Sequence, residues 1–143
     1  MLRMMDKELY QAVLLQHSKC PRNFGLMEDS THRSEGHNAL CGDEISVTLK
    51  IEKEVVSEVK FTGSACVICT ASASMMTNEV KGMACNEVKE LTNRFRLMTQ
   101  SGANQDLPQK LEILAGVYHF PQRVKCAVLP WETLIQAIES PVS

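Results

Sequence analysis

The hydrophobic period of the chain changes twice. Ile45, Val47, Leu49 and Ile51 alternate with Ser46, Thr48, Lys50 and Glu52. A period of two marks a half-buried strand. Val55, Ser57, Val59 and Phe61 repeat the alternation after a charged turn at Lys53-Glu54, which predicts an antiparallel hairpin. Residues 31–40, in a polar stretch, are a candidate third strand. Elsewhere the spacing is helical. Residues 6–18 read as a helix with Asp6 as N-cap and Leu9, Tyr10, Val13, Leu14 and His17 on one face, stopped by Pro21 and Gly25. Residues 66–81 read as a second, stopped at Gly82. Asn86 is the expected cap of a third, with Val88, Leu91, Phe95 and Met98 on one face. After a loop at 101–105, residues 107–117 read as a fourth, ended before Pro121. Trp131, Leu134, Ile135 and Ile138 mark a last helix, which Cys126 is expected to open. Strands before helices predict an α+β fold: a small antiparallel sheet of about three strands with four to five helices packed on one face.

The chain has 143 residues and 16.0 kDa, the size of one domain spanning 1–143. No repeat, linker or low-complexity segment divides it. A net charge of −2 lacks the basic footprint of a nucleic-acid binder, and 5% aromatics offer few stacking platforms. No apolar run approaches the ~20 residues of a membrane helix. The first residues hold no signal-peptide core, so the expected location is cytoplasmic, with no membrane partner. In that compartment six cysteines read as free thiols, metal ligands or catalytic groups rather than bridges.

The hairpin sorts the cysteines. It brings the chain before its first strand beside the chain after its second, so Cys41, Asp43 and Cys66 fall at one end of the sheet. Gly42 allows the tight backbone between Cys41 and Asp43. Cys66 falls at a helix start, where the dipole and free N–H groups favour a thiolate. Cys126 could complete the set. Three sulfurs and one carboxylate suit a closed tetrahedral zinc site, and sulfur ligands also suit iron–sulfur chemistry. The separations match no zinc finger or ribbon, and scattered buried thiols are an equal alternative. Cys66-Val67-Ile68-Cys69 is a C-x-x-C without the βαβ context of a redox motif. Cys20 and Cys85 read as packing residues. His32 and His37 could substitute as ligands, and His119 lies close to Cys126 in sequence. For these and for His17 the ordinary reading is a solvated or hydrogen-bonded imidazole. Met75 and Met76 read as core or interface.

Cys41-Gly42-Asp43, the run from Phe61 to Ile68, Ala71-Ser72-Ala73-Ser74-Met75-Met76-Thr77, and Lys125-Cys126-Ala127 with Leu129 and Trp131 together resemble the IscU/SufU/NifU N-terminal family of iron–sulfur assembly proteins. Pro21-Arg22-Asn23 and Gly25 also match. The resemblance covers residues 6–138. Within the family the chain looks most like the SufU type. It carries extra residues within 91–117 and has Lys125 where the IscU type has histidine. It lacks the Leu-Pro-Pro-Val-Lys segment that the IscU type presents to a chaperone; His119-Phe120-Pro121-Gln122-Arg123 stands there instead. Cys69 replaces a usual serine. Pro130 falls in the expected last helix, where a first-turn position would be tolerated.

The resemblance implies a SufE/NifU-like fold. It also implies a Zn2+ site built from Cys41, Asp43, Cys66 and Cys126, with Cys41 accepting persulfide sulfur from a PLP-dependent cysteine desulfurase. In IscU-type relatives the same positions assemble a [2Fe–2S] cluster for transfer to apo iron–sulfur proteins. Zinc deprotonates thiol ligands, and a thiolate is what attacks a persulfide. Asp43 is the hard ligand of a soft set, and Lys125 could stabilise the thiolate or persulfide by charge. The readings are thus a zinc-dependent sulfurtransferase-like acceptor, a non-enzymatic cluster scaffold, or a structural zinc module in which Cys41 is enclosed and inert.

Overall fold

The computed structural model describes residues 4–103 and 105–142, with the backbone alone for residues 4–10. Three strands form an antiparallel sheet in the order β1-β2-β3: β1 His32–Asn38, β2 Asp43–Glu52 and β3 Val55–Ser64. The helices are α1 Met4–Lys19, α2 Val67–Val80, α3 Cys85–Ser101, the short α4 Gln109–Glu112, which continues as a 3-10 helix Ile113–His119, and α5 Pro121–Ile138. The expected α+β architecture, with a three-stranded sheet and five helices, is what the chain adopts. No helix among the described residues is long and apolar enough to cross a membrane.

The hairpin turn is made by Lys53 and Glu54, both left-handed at φ 52° and 65°. That is the backbone of a two-residue turn matched to the twist of its strands. The register runs from Glu44↔Ser64 to Glu52↔Val55 and shifts between Lys50 and Ile51. Lys50 faces Glu58 while Ile51 faces Val56, so Ser57 is the extra residue, and its hydroxyl donates to the Lys50 carbonyl at 2.9 Å. The bulge corrects the expected alternation: Val56, not Val55, is buried with Val59 and Phe61.

Both edges of the sheet are covered. Asn23 and Gly25 bond the Phe61 backbone, and Phe24 meets the Phe61 ring edge-on at 5.3 Å. On the opposite edge the Arg33 N–H donates to Ser140 O, and the Val142 N–H donates to Thr31 O. Such covering removes a template for strand addition.

Ile45, Val47, Leu49, Val59 and Phe61 turn their side chains into a core shared with α2, α3 and α5. Met75 and Met76 lie in this core, as does Cys85. Phe95 of α3 stacks on Trp131 of α5, ring centroids 4.6 Å apart. The Trp131 indole N–H donates to Ser72 Oγ at 3.2 Å, and the Ser72 hydroxyl donates to Ala127 O at 2.6 Å. This relay locks α5 onto α2. Gly36 lets β1 approach α5 closely, since a Cβ there would meet the Thr133 hydroxyl.

Several expected boundaries are corrected. α1 begins by Met4, so Asp6 lies inside the helix rather than capping it. Val13, Leu14 and His17 do face inward; the side chains of Leu9 and Tyr10 lie outside the described residues. Ala84, not Asn86, is the N-cap of α3, and the Glu87 carboxylate accepts the Ala84 N–H at 3.2 Å. The fourth helix is one turn of α4 followed by 3-10 geometry. Leu111, Leu114 and Val117 are all buried, and a spacing of three lines one side of a 3-10 helix. Pro121 starts α5 instead of lying beyond a helix end, as suits a residue whose missing N–H has no intrahelical role there. Cys126 therefore sits in the second turn of α5, and Pro130 in its middle rather than its first turn. Pro130 cannot donate to the carbonyl of Cys126, four residues back.

Ser72→Ala should destabilise the protein by about 1–3 kcal/mol by leaving the buried Trp131 N–H without an acceptor. Chemical denaturation monitored by tryptophan fluorescence measures this directly.

Candidate metal and sulfur site

The end of the sheet holding the start of β2 and the end of β3 collects the candidate residues. Asn38 of β1 faces Asp43 of β2, so the connection from β1 to β2 is a short turn carrying Leu40, Cys41 and Gly42. Gly42 has φ 69° with open space around it, so the left-handed backbone itself is what calls for glycine. The turn leaves Cys41 exposed and buries Asp43.

Cys66 is the N-cap of α2. Its sulfur accepts the Cys69 N–H at 3.4 Å, satisfying one of the free amides of the first turn. Its own N–H donates to Asp43 Oδ1 at 2.8 Å, while its sulfur lies 3.9 Å from Asp43 Oδ2. One carboxylate oxygen is thus held by the backbone and the other faces the sulfurs. Cys126 reaches the same point from the second turn of α5, and its Sγ is 3.3 Å from Cys41 Sγ.

Ligand atoms of Cys41, Asp43 and Cys126 all lie within 4.8 Å of one another. Cys66 joins them through Asp43. A tetrahedral ion with bonds of about 2.3 Å to sulfur sets its ligands about 3.8 Å apart. The spacing of Cys41, Asp43 and Cys126 is compatible with such an ion, Cys66 stands just outside that group beside Asp43, and the soft donors suit zinc or iron. Burial pushes the Cys126 thiol up, and its contacts with Cys41, Asp43 and Cys66 add to the effect. Burial thus favours the neutral Cys126 thiol when no cation is bound, and a bound cation reverses that preference.

The other candidates fall elsewhere. Cys69 is fully buried one turn into α2, and burial, followed by the charges of Asp43, Cys66 and Cys41, raises its thiol. It is a neutral neighbour of the cluster. Cys20 is exposed after α1. His32 lies at the far end of β1 and contacts Thr31 Oγ1 at 2.8 Å. His37 is on the exposed face of β1 and lines a groove of about 480 Å3 between β1 and α5, together with Asn38, Lys125 and Glu132. Lys125 is exposed there. His119 packs on Tyr118, ring centroids 3.9 Å apart. His17 is buried against Ser74 Oγ at 2.7 Å, and burial lowers its pKa, with the Arg22 and Lys110 charges adding to this.

One residue at the cluster was not expected. Asn38 Nδ2 lies 3.8 Å from Cys126 Sγ. Its only trace in the sequence is an Asn shortly before a Cys-Gly pair, a common turn residue.

The NifU-like N terminal domain model matches residues 9–140. The chain is 40% identical over 133 residues to the iron–sulfur cluster assembly scaffold protein IscU of Streptococcus pyogenes serotype M1, covering 92% of this chain and 83% of that one. It is 38% identical over 132 residues to the zinc-dependent sulfurtransferase SufU of Bacillus subtilis strain 168, covering 91% and 89%. A crystal structure described only as that of a hypothetical protein superposes with a TM-score of 0.86 at 39% identity, covering 93% of this chain and 98% of the other.

The burial pattern predicts an order of thiol reactivity. In metal-free folded protein, Cys20 and Cys41 should be alkylated first and Cys66 more slowly. Cys69, Cys85 and Cys126 should react only on unfolding. Mass spectrometry of a timed iodoacetamide reaction reads that order.

Proposed function

The chain belongs to the NifU-like N-terminal domain family, and we propose that it serves iron–sulfur cluster assembly as a zinc-bound acceptor of persulfide sulfur, with Cys41 as the acceptor. The observation that carries this reading is the unequal exposure of the cluster: Cys41 faces solvent, Cys66 is half-buried, and Asp43 and Cys126 are buried. Of these four residues, Cys41 is the one most open to a sulfur carried on another protein.

Cys41, Asp43, Cys66 and Cys126 are the proposed ligands. Bound zinc would keep its cysteine ligands deprotonated near neutral pH. The Cys41 thiolate attacks the outer sulfur of a persulfide on the donor. A new S–S bond forms at Cys41, the donor S–S bond breaks, and the donor cysteine leaves as its thiolate. Asp43 is held by the Cys66 N–H, which keeps its second oxygen aimed at the sulfurs. Lys125, beside Cys126 in sequence, is proposed to add positive charge near the thiolate or persulfide. The donor proposed is a PLP-dependent cysteine desulfurase, and the setting cytoplasmic, with residues 1–143 acting as one domain.

The close packing of three ligand atoms within 4.8 Å favours one ion over a two-iron cluster, whose irons would spread their ligands. The sulfur-rich donor set and the name of the Streptococcus pyogenes relative favour the second reading, a scaffold on which a [2Fe–2S] cluster is built and passed to apo-proteins. Both readings place the chain in iron–sulfur cluster assembly. They differ in cargo: about one zinc per chain without acid-labile sulfide, in protein purified without oxygen or added metal, supports the acceptor. Iron and sulfide in equal amounts support the scaffold.

Cys41→Ala should fold normally yet lose at least about tenfold of the stimulation that the wild-type chain gives a cysteine desulfurase, read as alanine formed from cysteine. Full stimulation by Cys41→Ala would overturn the acceptor role.

A further inference from the structure

Asn38 makes two bonds to the cluster and one to the turn beside it. Its carbonyl accepts the Cys41 N–H at 3.3 Å. Its side-chain Oδ1 accepts the Leu40 N–H at 3.2 Å, closing a local turn just before Cys41. Its Nδ2 points at Cys126 Sγ, 3.8 Å away. The amide orientation follows from the Leu40 bond: a backbone N–H must meet the oxygen, so the nitrogen is left for the sulfur. Asn38 also stands opposite Asp43 in the β1–β2 register. One half-buried side chain therefore ties the exposed cysteine's turn to the buried cysteine on α5.

We propose that Asn38 is a positioning residue of the metal site, donating from Nδ2 to the Cys126 sulfur while its Oδ1 shapes the turn that presents Cys41. The proposal rests on Cys41, Asp43, Cys66 and Cys126 being the ligand set. Three thiolates and a carboxylate carry four negative charges, of which a divalent ion offsets two. The remainder must be spread over N–H donors and nearby cations. The Cys66 N–H serves Asp43, and the Cys69 N–H serves Cys66. Asn38 Nδ2 supplies the corresponding donor to Cys126. Partners of this kind orient metal ligands and tune their donor strength.

The two halves of the amide can be separated. Asn38→Asp keeps an oxygen for the Leu40 N–H and replaces the donor by an anionic oxygen facing Cys126. Asn38→Ala removes both. Zn2+ affinity would be measured at fixed pH by competition with a chromophoric chelator, with thermal unfolding of the metal-free proteins alongside. Sulfur-to-metal charge-transfer absorption of the Co2+ forms reports the Cys126 bond.

Asn38→Asp is expected to unfold like wild type, bind Zn2+ roughly 10–100-fold more weakly, and show altered charge-transfer bands. Asn38→Ala is expected to weaken binding less, because it adds no charge. A role confined to the turn predicts the reverse order, with Asn38→Asp equal to wild type. Equal or tighter Zn2+ binding by Asn38→Asp, with an unchanged Co2+ spectrum, overturns the proposal and leaves the ligand set standing. Failure of the wild-type chain to bind either metal overturns the ligand set and the proposal together.

Discussion

A buried carboxylate holds the site together. Asp43 is 1% exposed, and burying such a group without partners is costly. Its Oδ1 accepts the Cys66 N–H at 2.8 Å, which ties the first residue of β2 to the N-cap of α2. The hairpin makes this bond possible by returning β3 to the point where β2 began. Once it forms, Cys66 is fixed at the helix start and the second carboxylate oxygen has one direction left, toward the sulfurs. Charge and backbone bonding meet in one side chain of the proposed ligand set.

The helices then bring in the remaining sulfur. α5 crosses the sheet against β1 and β2, and its position is set by shape at two places. Gly36 permits close approach to Thr133, and the Trp131–Ser72–Ala127 relay holds α5 against α2. Cys126 projects from the second turn of α5 onto Cys41. The two sulfurs come from segments far apart in the chain, one in an exposed turn beside Gly42 and one on a packed helix. That contrast gives the site one solvent-facing thiol against a buried background, an arrangement suited to receiving an atom from outside.

Much of this was legible beforehand. The alternation at Ile45–Ile51 placed the hairpin, and the hairpin alone put Cys41, Asp43 and Cys66 at one end of the sheet. Gly42 marked the turn before β2. Boundaries were less legible. Ser57 reads as part of the alternation, yet it is the bulged residue, because register depends on the partner strand. Residues 107–117 read as a helix, but three buried side chains at a spacing of three favour 3-10 geometry. Asn86 looks like a cap until the Glu87 carboxylate is seen to serve Ala84 instead. Local sequence cannot rank competing caps, since tertiary contacts choose among them.

By itself the sequence determined the α+β class, the strand alternation and the residue types able to hold a soft metal. Those follow from period and donor chemistry, which are local properties. The sequence could only offer Cys126 as a fourth member, and tertiary structure brings it to Cys41, since nothing short-range links a cysteine on the last helix to a turn before β2. Tertiary structure also decided that Cys41 is the exposed member, that Cys69 is withdrawn into the core, and that Asn38 reaches Cys126. Each depends on how α2 and α5 pack on the sheet, and packing is settled by the fit of whole surfaces rather than by any one stretch of chain.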